Sequence, residues 1–195
     1  MPVLESVDFA YRADRPVLRG FSLALPETGT VCLLGPSGCG KTTVLRVLAG
    51  LETVQAGTVS GLAGRRVSMV FQENRLLPWE TARQNASTRD DAGTGAAWLQ
   101  ALGLGDSLDR RPGELSGGMA RRVAIARALA APSDLLLLDE PFAGLDEPTW
   151  QDAARRIAAV GAHRLTVLVT HVPDHAAALG AAIVRLDGPP LRVVS

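Results

Sequence analysis

The run Gly35-Pro36-Ser37-Gly38-Cys39-Gly40-Lys41-Thr42-Thr43 follows an apolar stretch, residues 30–34, and leads into a helically spaced one, residues 44–49, that stops at Gly50. A short run that is apolar almost throughout predicts a strand covered on both faces, which calls for a parallel sheet flanked by helices. Between strand and helix, the glycines let successive N–H groups curl around an anion with no β-carbon in the way. The helix that opens near Lys41 adds the positive end of its dipole. The run fits G-x-x-x-x-G-K-[ST] in full and has the flanking elements that the pattern requires. Lys41 is placed to neutralise β and γ phosphates, and the Thr42 hydroxyl to ligate Mg²⁺. Lys41 is also the one lysine among 20 basic residues, the rest being arginine. A compact ammonium and a planar guanidinium are poorly interchangeable between oxygens, so the position is marked. The duller reading is a glycine-rich turn that merely joins strand to helix.

A second strand of the same kind, residues 135–138, is all leucine and ends in Asp139-Glu140-Pro141. Ligands of open parallel sheets bind beyond the carboxyl ends of the strands, so these acids reach the same edge as the glycine run. Adjacent strand residues point to opposite faces, which separates their roles. Asp139 is expected to hold Mg²⁺, directly or through water, and Glu140 to act as general base towards an attacking water. Leu115-Ser116-Gly117-Gly118-Met119 precedes an amphipathic helix over residues 120–129, with Ser116 as N-cap. Glycine in a helix costs about 1 kcal/mol relative to alanine, so two in a first turn imply that something approaches that backbone closely. This is a second candidate anion grip.

The length of 195 residues fits one domain, or a core with a small subdomain. With 47% hydrophobic and 21% charged residues the composition is that of a globular protein, and disorder and collagen are excluded. The 20 basic and 20 acidic residues cancel, which disfavours a nucleic-acid partner. No apolar stretch is long enough to span a bilayer and no signal sequence is evident, so a cytoplasmic location is expected. Cys32 and Cys39 read as reduced thiols. Further strands are expected over residues 3–10, 21–25, 57–59, 67–71 and 165–170, and a helix over residues 148–160. Helical segments should fill residues 78–132, with a polar loop at 86–95.

Together these motifs resemble the ATP-binding subunits of ABC transporters, whose signature is LSGGQ, over nearly the whole chain. Gln72 after Val70-Phe71 is similar to the Q-loop glutamine, Asp146 in Ala143-Gly144-Leu145-Asp146 to the D-loop aspartate, and His171 to the switch histidine. Tyr11, ahead of Arg15-Pro16-Val17-Leu18, is similar to the aromatic that stacks on adenine. The resemblance implies an α/β P-loop core with a mostly parallel sheet, an antiparallel N-terminal β subdomain and a trimmed helical subdomain. It divides a single ATPase domain into a nucleotide-binding core, residues 1–75 and 133–195, and a helical signature subdomain, residues 76–132. It further implies a head-to-tail dimer in which Ser116, Gly117 and Gly118 of one subunit close over ATP held by Lys41 of the other. Gln72 would sense Mg²⁺ and water, His171 would hold the γ-phosphate, and Asp146 would lie across the interface. Taken alone, Tyr11 could be strand packing, Gln72 a surface amide and His171 a satisfied histidine. His163 and His175 read as surface residues.

Met119 departs from the usual signature glutamine. The segment from Gln72 to Leu115 is short for the family, and with 24 residues after His171 the regulatory C-terminal domain that some relatives carry is not expected. Leu76-Leu77-Pro78-Trp79, with Met119, resembles the nitrate, sulfonate and taurine importer group; this apolar cluster either packs the subdomain or lines a groove for a membrane subunit. The resemblance implies ATP and Mg²⁺ as cofactors, a second ATPase subunit and a membrane permease as partners, a solute-binding protein indirectly, and a place on the inner face of the membrane. The rival readings are a non-transport ABC ATPase, which usually brings coiled-coil insertions, a tandem domain or a basic surface, and a small-molecule P-loop kinase, which should lack the Ser116-Gly117-Gly118 grip.

Overall fold

The computed structural model describes residues 1–87, 92–161 and 163–194. Its centre is a six-stranded sheet built from β3 (Gly29–Leu34), β5 (Val67–Val70), β6 (Leu135–Asp139), β7 (Leu165–Thr170), β8 (Ala182–Asp187) and β9 (Arg192–Val194). The order is β5-β6-β7-β3-β8-β9; every neighbouring pair is parallel except β8 and β9. All of β6 is buried, and its residues divide by parity. Leu136 and Leu138 join a core with Cys32, Leu34, Val70 and Val123, while Leu135 and Leu137 join one with Val31, Leu33, Val44 and Leu45. Each leucine buried in this way contributes roughly 1.5–3 kcal/mol, so the strand that ends in two acids is anchored from both faces.

One face carries α1 (Lys41–Leu48) and an antiparallel sheet of β1 (Val3–Arg12), β2 (Arg15–Ala24) and β4 (Ala56–Ser60), in the order β2-β1-β4. The other carries α2 (Ala82–Ala86), α3 (Ala92–Ala101) and α4 (Gly117–Ala130), which share one apolar core with the sheet. The chain also forms α5 (Glu147–Gly161) and α6 (Pro173–Ala178). Gly50 ends α1 as its sequence position predicts: at φ 69° it donates to Val47 O (3.0 Å) while Leu51 donates to Arg46 O (2.9 Å), a Schellman pair.

The expected strands and helices are present, with differences at their ends. The strand expected from residue 21 begins at Arg15, because the irregular register of β2 against β1 breaks the alternation that marks a strand in sequence. The expected loop at 86–95 is also revised: Ala86 closes α2 and residues 92–95 open α3, while residues 88–91 lie outside the described ones. Among the described residues no helix is long and apolar enough to cross a membrane.

Candidate functional site

The glycine loop stands at the carboxyl end of β3. Gly38 (φ 80°) and Gly40 (φ 119°) hold conformations that a side chain would strain. A β-carbon on Gly35 would overlap the Leu186 carbonyl of the neighbouring strand. Among the described residues, the amides of Gly38, Gly40, Lys41 and Thr42 find no acceptor in the chain, which is the cradle an anion fills. Ser37 and Gly38 are exposed, Thr43 is buried, and Lys41 lies 5% exposed with Nζ donating to the carbonyls of Gly35 and Pro36, 2.8 Å each. Cys39 is 1% exposed and its Sγ is 3.9 Å from Lys41 Nζ, so the thiol is a buried filler already shielded by the fold itself.

Thr42 Oγ1 donates to Asp139 Oδ1 at 3.1 Å, joining two motifs far apart in sequence. Asp139 is 2% exposed. Burial raises its pKa, opposed by the Thr42 hydrogen bond and reinforced by the charge of Glu140. A desolvated carboxylate beside a hydroxyl is a hard-oxygen pair suited to a small divalent cation. Gln72 is exposed and lines a small cleft with Thr42, Glu73 and Asp139. The backbone there is held by Arg121 of α4, a buried guanidinium that donates to the carbonyls of Phe71 (2.6 Å), Gln72 (3.2 Å), Asp139 (2.8 Å), Pro141 (2.9 Å) and Glu140. One side chain thus ties the start of the signature helix to both acids and to the Gln72 loop. Its partners lie 18 to 50 residues away, and the sequence carried no signal for it beyond a basic residue in an amphipathic helix.

Glu140 leaves the strand at φ 46°, a conformation that non-glycine residues rarely adopt and that is found at sites where backbone strain is retained. Its Oε1 lies 2.8 Å from His171 Nδ1 and its Oε2 accepts from Thr170 Oγ1 at 3.2 Å. His163 is exposed as expected, but the surface reading of His175 is corrected: it is 9% exposed, packed edge-on against Phe142 and Trp150, with Nδ1 3.1 Å from Thr170 Oγ1. Its place on the short α6, against aromatics from distant segments, left no sequence signal.

Burial lowers the His175 pKa below its ordinary 6.5, so between the two values the unfolded chain binds the proton and the fold does not. The stability this neutral ring supports is complete above about pH 6.5 and is lost as the pH falls through that value towards the folded pKa. Thermal melts between about pH 8 and about pH 5 should show a steeper acid loss of Tm in the wild type than in His175→Gln; parallel curves would contradict this.

Ser116 is the N-cap of α4, its Oγ accepting from Met119 N at 3.2 Å. A β-carbon on Gly117 would meet no atom within 4 Å, and one on Gly118 would come only to ordinary contact, 3.4 Å from Leu145. Met119 packs against the core. Asp146 is exposed, and a hydrogen bond with the Thr149 side chain lowers its pKa, as a cap at the start of α5 requires. The Tyr11 ring is 53% exposed, edge-on to Phe9 at 4.9 Å, and its hydroxyl accepts from Arg46 at 3.3 Å. It is therefore not buried strand packing. Loop, acids, Gln72 and His171 share one edge of the sheet, whereas Ser116–Gly118 make no hydrogen bond to the glycine loop among the described residues.

Residues 18–143 match the family model described as ABC transporter. The chain belongs to the ABC transporter family. It is an ATP-binding subunit of the ATP-hydrolysing type. An aliphatic sulfonates import ATP-binding protein SsuB 1 of Pseudomonas savastanoi pv. phaseolicola is 43% identical over 94% of this chain and 80% of its own. A taurine import ATP-binding protein TauB of Pseudomonas aeruginosa is 36% identical over 97% of this chain and 79% of its own. Among solved structures, the ATP-binding cassette MJ0796, a dimer in a post-hydrolysis state with ADP and Pi, superposes with a TM-score of 0.85 at 26% identity, covering 96% of this ABC ATPase and 94% of that chain.

Proposed function

We propose that this ABC ATPase drives import of a small anionic solute, sulfonate-like or nitrate-like, through a separate membrane permease on whose inner face it sits. A solute-binding protein would deliver the cargo outside. Two copies, or one copy and a paired ATPase subunit, would close head to tail over two nucleotides. The carrying observation is the tip of α4: Ser116 and Gly117 are exposed and nothing among the described residues requires glycine at 117, so the bare backbone is kept for a ligand presented from outside. Residues 1–75 and 133–195 would form the nucleotide core and residues 76–132 the signature subdomain.

In this reading the free amides of Gly38, Gly40, Lys41 and Thr42 and the Lys41 ammonium grip the phosphates, with Lys41 turning from the Gly35 and Pro36 carbonyls to phosphate oxygens. Tyr11 offers an exposed ring face to adenine. Thr42, Asp139 and Gln72 would hold Mg²⁺, which when bound would supply positive charge to the phosphates. Glu140 takes the proton of the attacking water, His171 contacts the γ-phosphate, and Ser116, Gly117 and Gly118 close the site of the opposite copy near its Asp146. The sulfonate preference is supported by the relatives, two of which carry aliphatic sulfonates and taurine in their names.

Permease docking is supported by the loop after Gln72. Leu77 is 41% and Trp79 68% exposed, while the buried Asn85 of α2 holds the loop by accepting from Leu77 N (2.7 Å) and donating to the carbonyls of Leu77, Glu80 and Thr81, 3.1 Å each. Large apolar side chains displayed on a pinned loop are the features of a contact surface. Trp79→Ser should leave the ATPase of the isolated subunit within about twofold and abolish co-purification with the permease expressed alongside it. Undiminished co-purification would overturn this docking site.

A further inference from the structure

We propose that Thr170 and His175 are a positioning pair for Glu140, fixing its carboxylate independently of His171; this rests on Glu140 acting as the base. A hydroxyl has one proton and two lone pairs, and here all three are committed. Thr170 Oγ1 donates to Glu140 Oε2 (3.2 Å) and accepts from Val172 N (3.1 Å). The remaining contact, 3.1 Å from His175 Nδ1, must then be one it accepts, so His175 carries a proton on Nδ1; burial favours the neutral form of that ring.

The arrangement cannot relax into water. Thr170 is fully buried, and the His175 ring packs edge-on against Phe142 (centroids 5.0 Å apart) and Trp150 (4.9 Å), which also touch each other. The direction of the hydroxyl proton is thereby set from behind, towards the carboxylate. Glu140 needs such a hold, because it lies past the strand end at φ 46° on a flexible side chain. Its other partner, His171, is 56% exposed and is the residue that must reach the phosphate. When His171 does so, Thr170 is the remaining side-chain anchor of Glu140 among the described residues.

Thr170→Val keeps the shape and removes the hydroxyl, and Thr170→Ser restores it. Steady-state ATPase of the purified subunit should show kcat down about tenfold in Thr170→Val, with KM for ATP within about twofold and recovery in Thr170→Ser. His175→Phe retains the ring packing and loses the Nδ1 proton; it should lower kcat several-fold and supplies the same test if Thr170→Val does not fold. In a Glu140→Gln background, Thr170→Val should change the residual rate little, since there is no carboxylate left to position. Wild-type kcat in Thr170→Val and His175→Phe, or equal fold-losses in both backgrounds, overturns the inference. Normal turnover in Glu140→Gln alone would instead overturn the assignment of the base.

Discussion

Glu140→Gln should lower ATP turnover on the order of a hundred- to a thousandfold while leaving ATP binding intact, so that an ATP-bound dimer accumulates. The two side chains have nearly the same shape, and the φ of 46° at this position is no harder for glutamine than for glutamate. What changes is proton affinity. A carboxylate can take a proton from water; an amide cannot. The surroundings tolerate the change, since the Thr170 hydroxyl can still donate to the amide oxygen and His171, which is exposed, can adopt its other tautomer. The nucleotide grip is built from other groups, the Lys41 ammonium and the free amides of Gly38, Gly40, Lys41 and Thr42, so affinity should not fall. Light scattering with ATP and turnover measured on the same sample check both halves. Near-normal hydrolysis under saturating Mg²⁺-ATP would remove Glu140 from the chemistry.

The parts of this site that sequence reveals are those in which neighbouring residues carry the physics. Residues 30–50 announce a strand, a turn and a helix because the apolar run, the glycines and Gly50 each act locally, and the Schellman pair at Gly50 follows directly. Leucine at every position from 135 to 138 signals burial on both faces, and the structure divides those leucines between two cores. Arg121 and His175 were opaque for the opposite reason. The charge of Arg121 is matched by carbonyls from two separate segments, residues 71–72 and 139–141, and His175 is buried by Phe142 and Trp150, so their roles exist only once the chain has folded. The start of α3 illustrates a third limit. Ala-Gly-Thr-Gly has poor helix propensity, and tertiary packing against α2 and α4 overrides it.

Gly117→Ala separates folding from function by moving them in opposite directions. Gly117 is exposed, carries no left-handed φ, and has open space where a β-carbon would stand. Alanine in the first turn of α4 should therefore stabilise the isolated subunit, by up to about 1 kcal/mol, or roughly 2–4 °C in Tm for a chain of this size. If this backbone closes over ATP carried by the opposite copy, a methyl group there pushes the phosphates away from the N–H groups of the helix tip. Those hydrogen bonds to a charged group are worth about 1.5–3 kcal/mol each, and losing one costs about tenfold or more in dimer closure. The expected result is a higher Tm together with an ATPase reduced at least tenfold and weakened ATP-driven pairing of the Glu140→Gln form. Stabilisation with full activity would mean that the glycine is not needed by any ligand, and the head-to-tail arrangement would lose its structural basis in this chain. A lower Tm would point instead to a conformational demand on Gly117 that open space and an ordinary φ give no reason to expect.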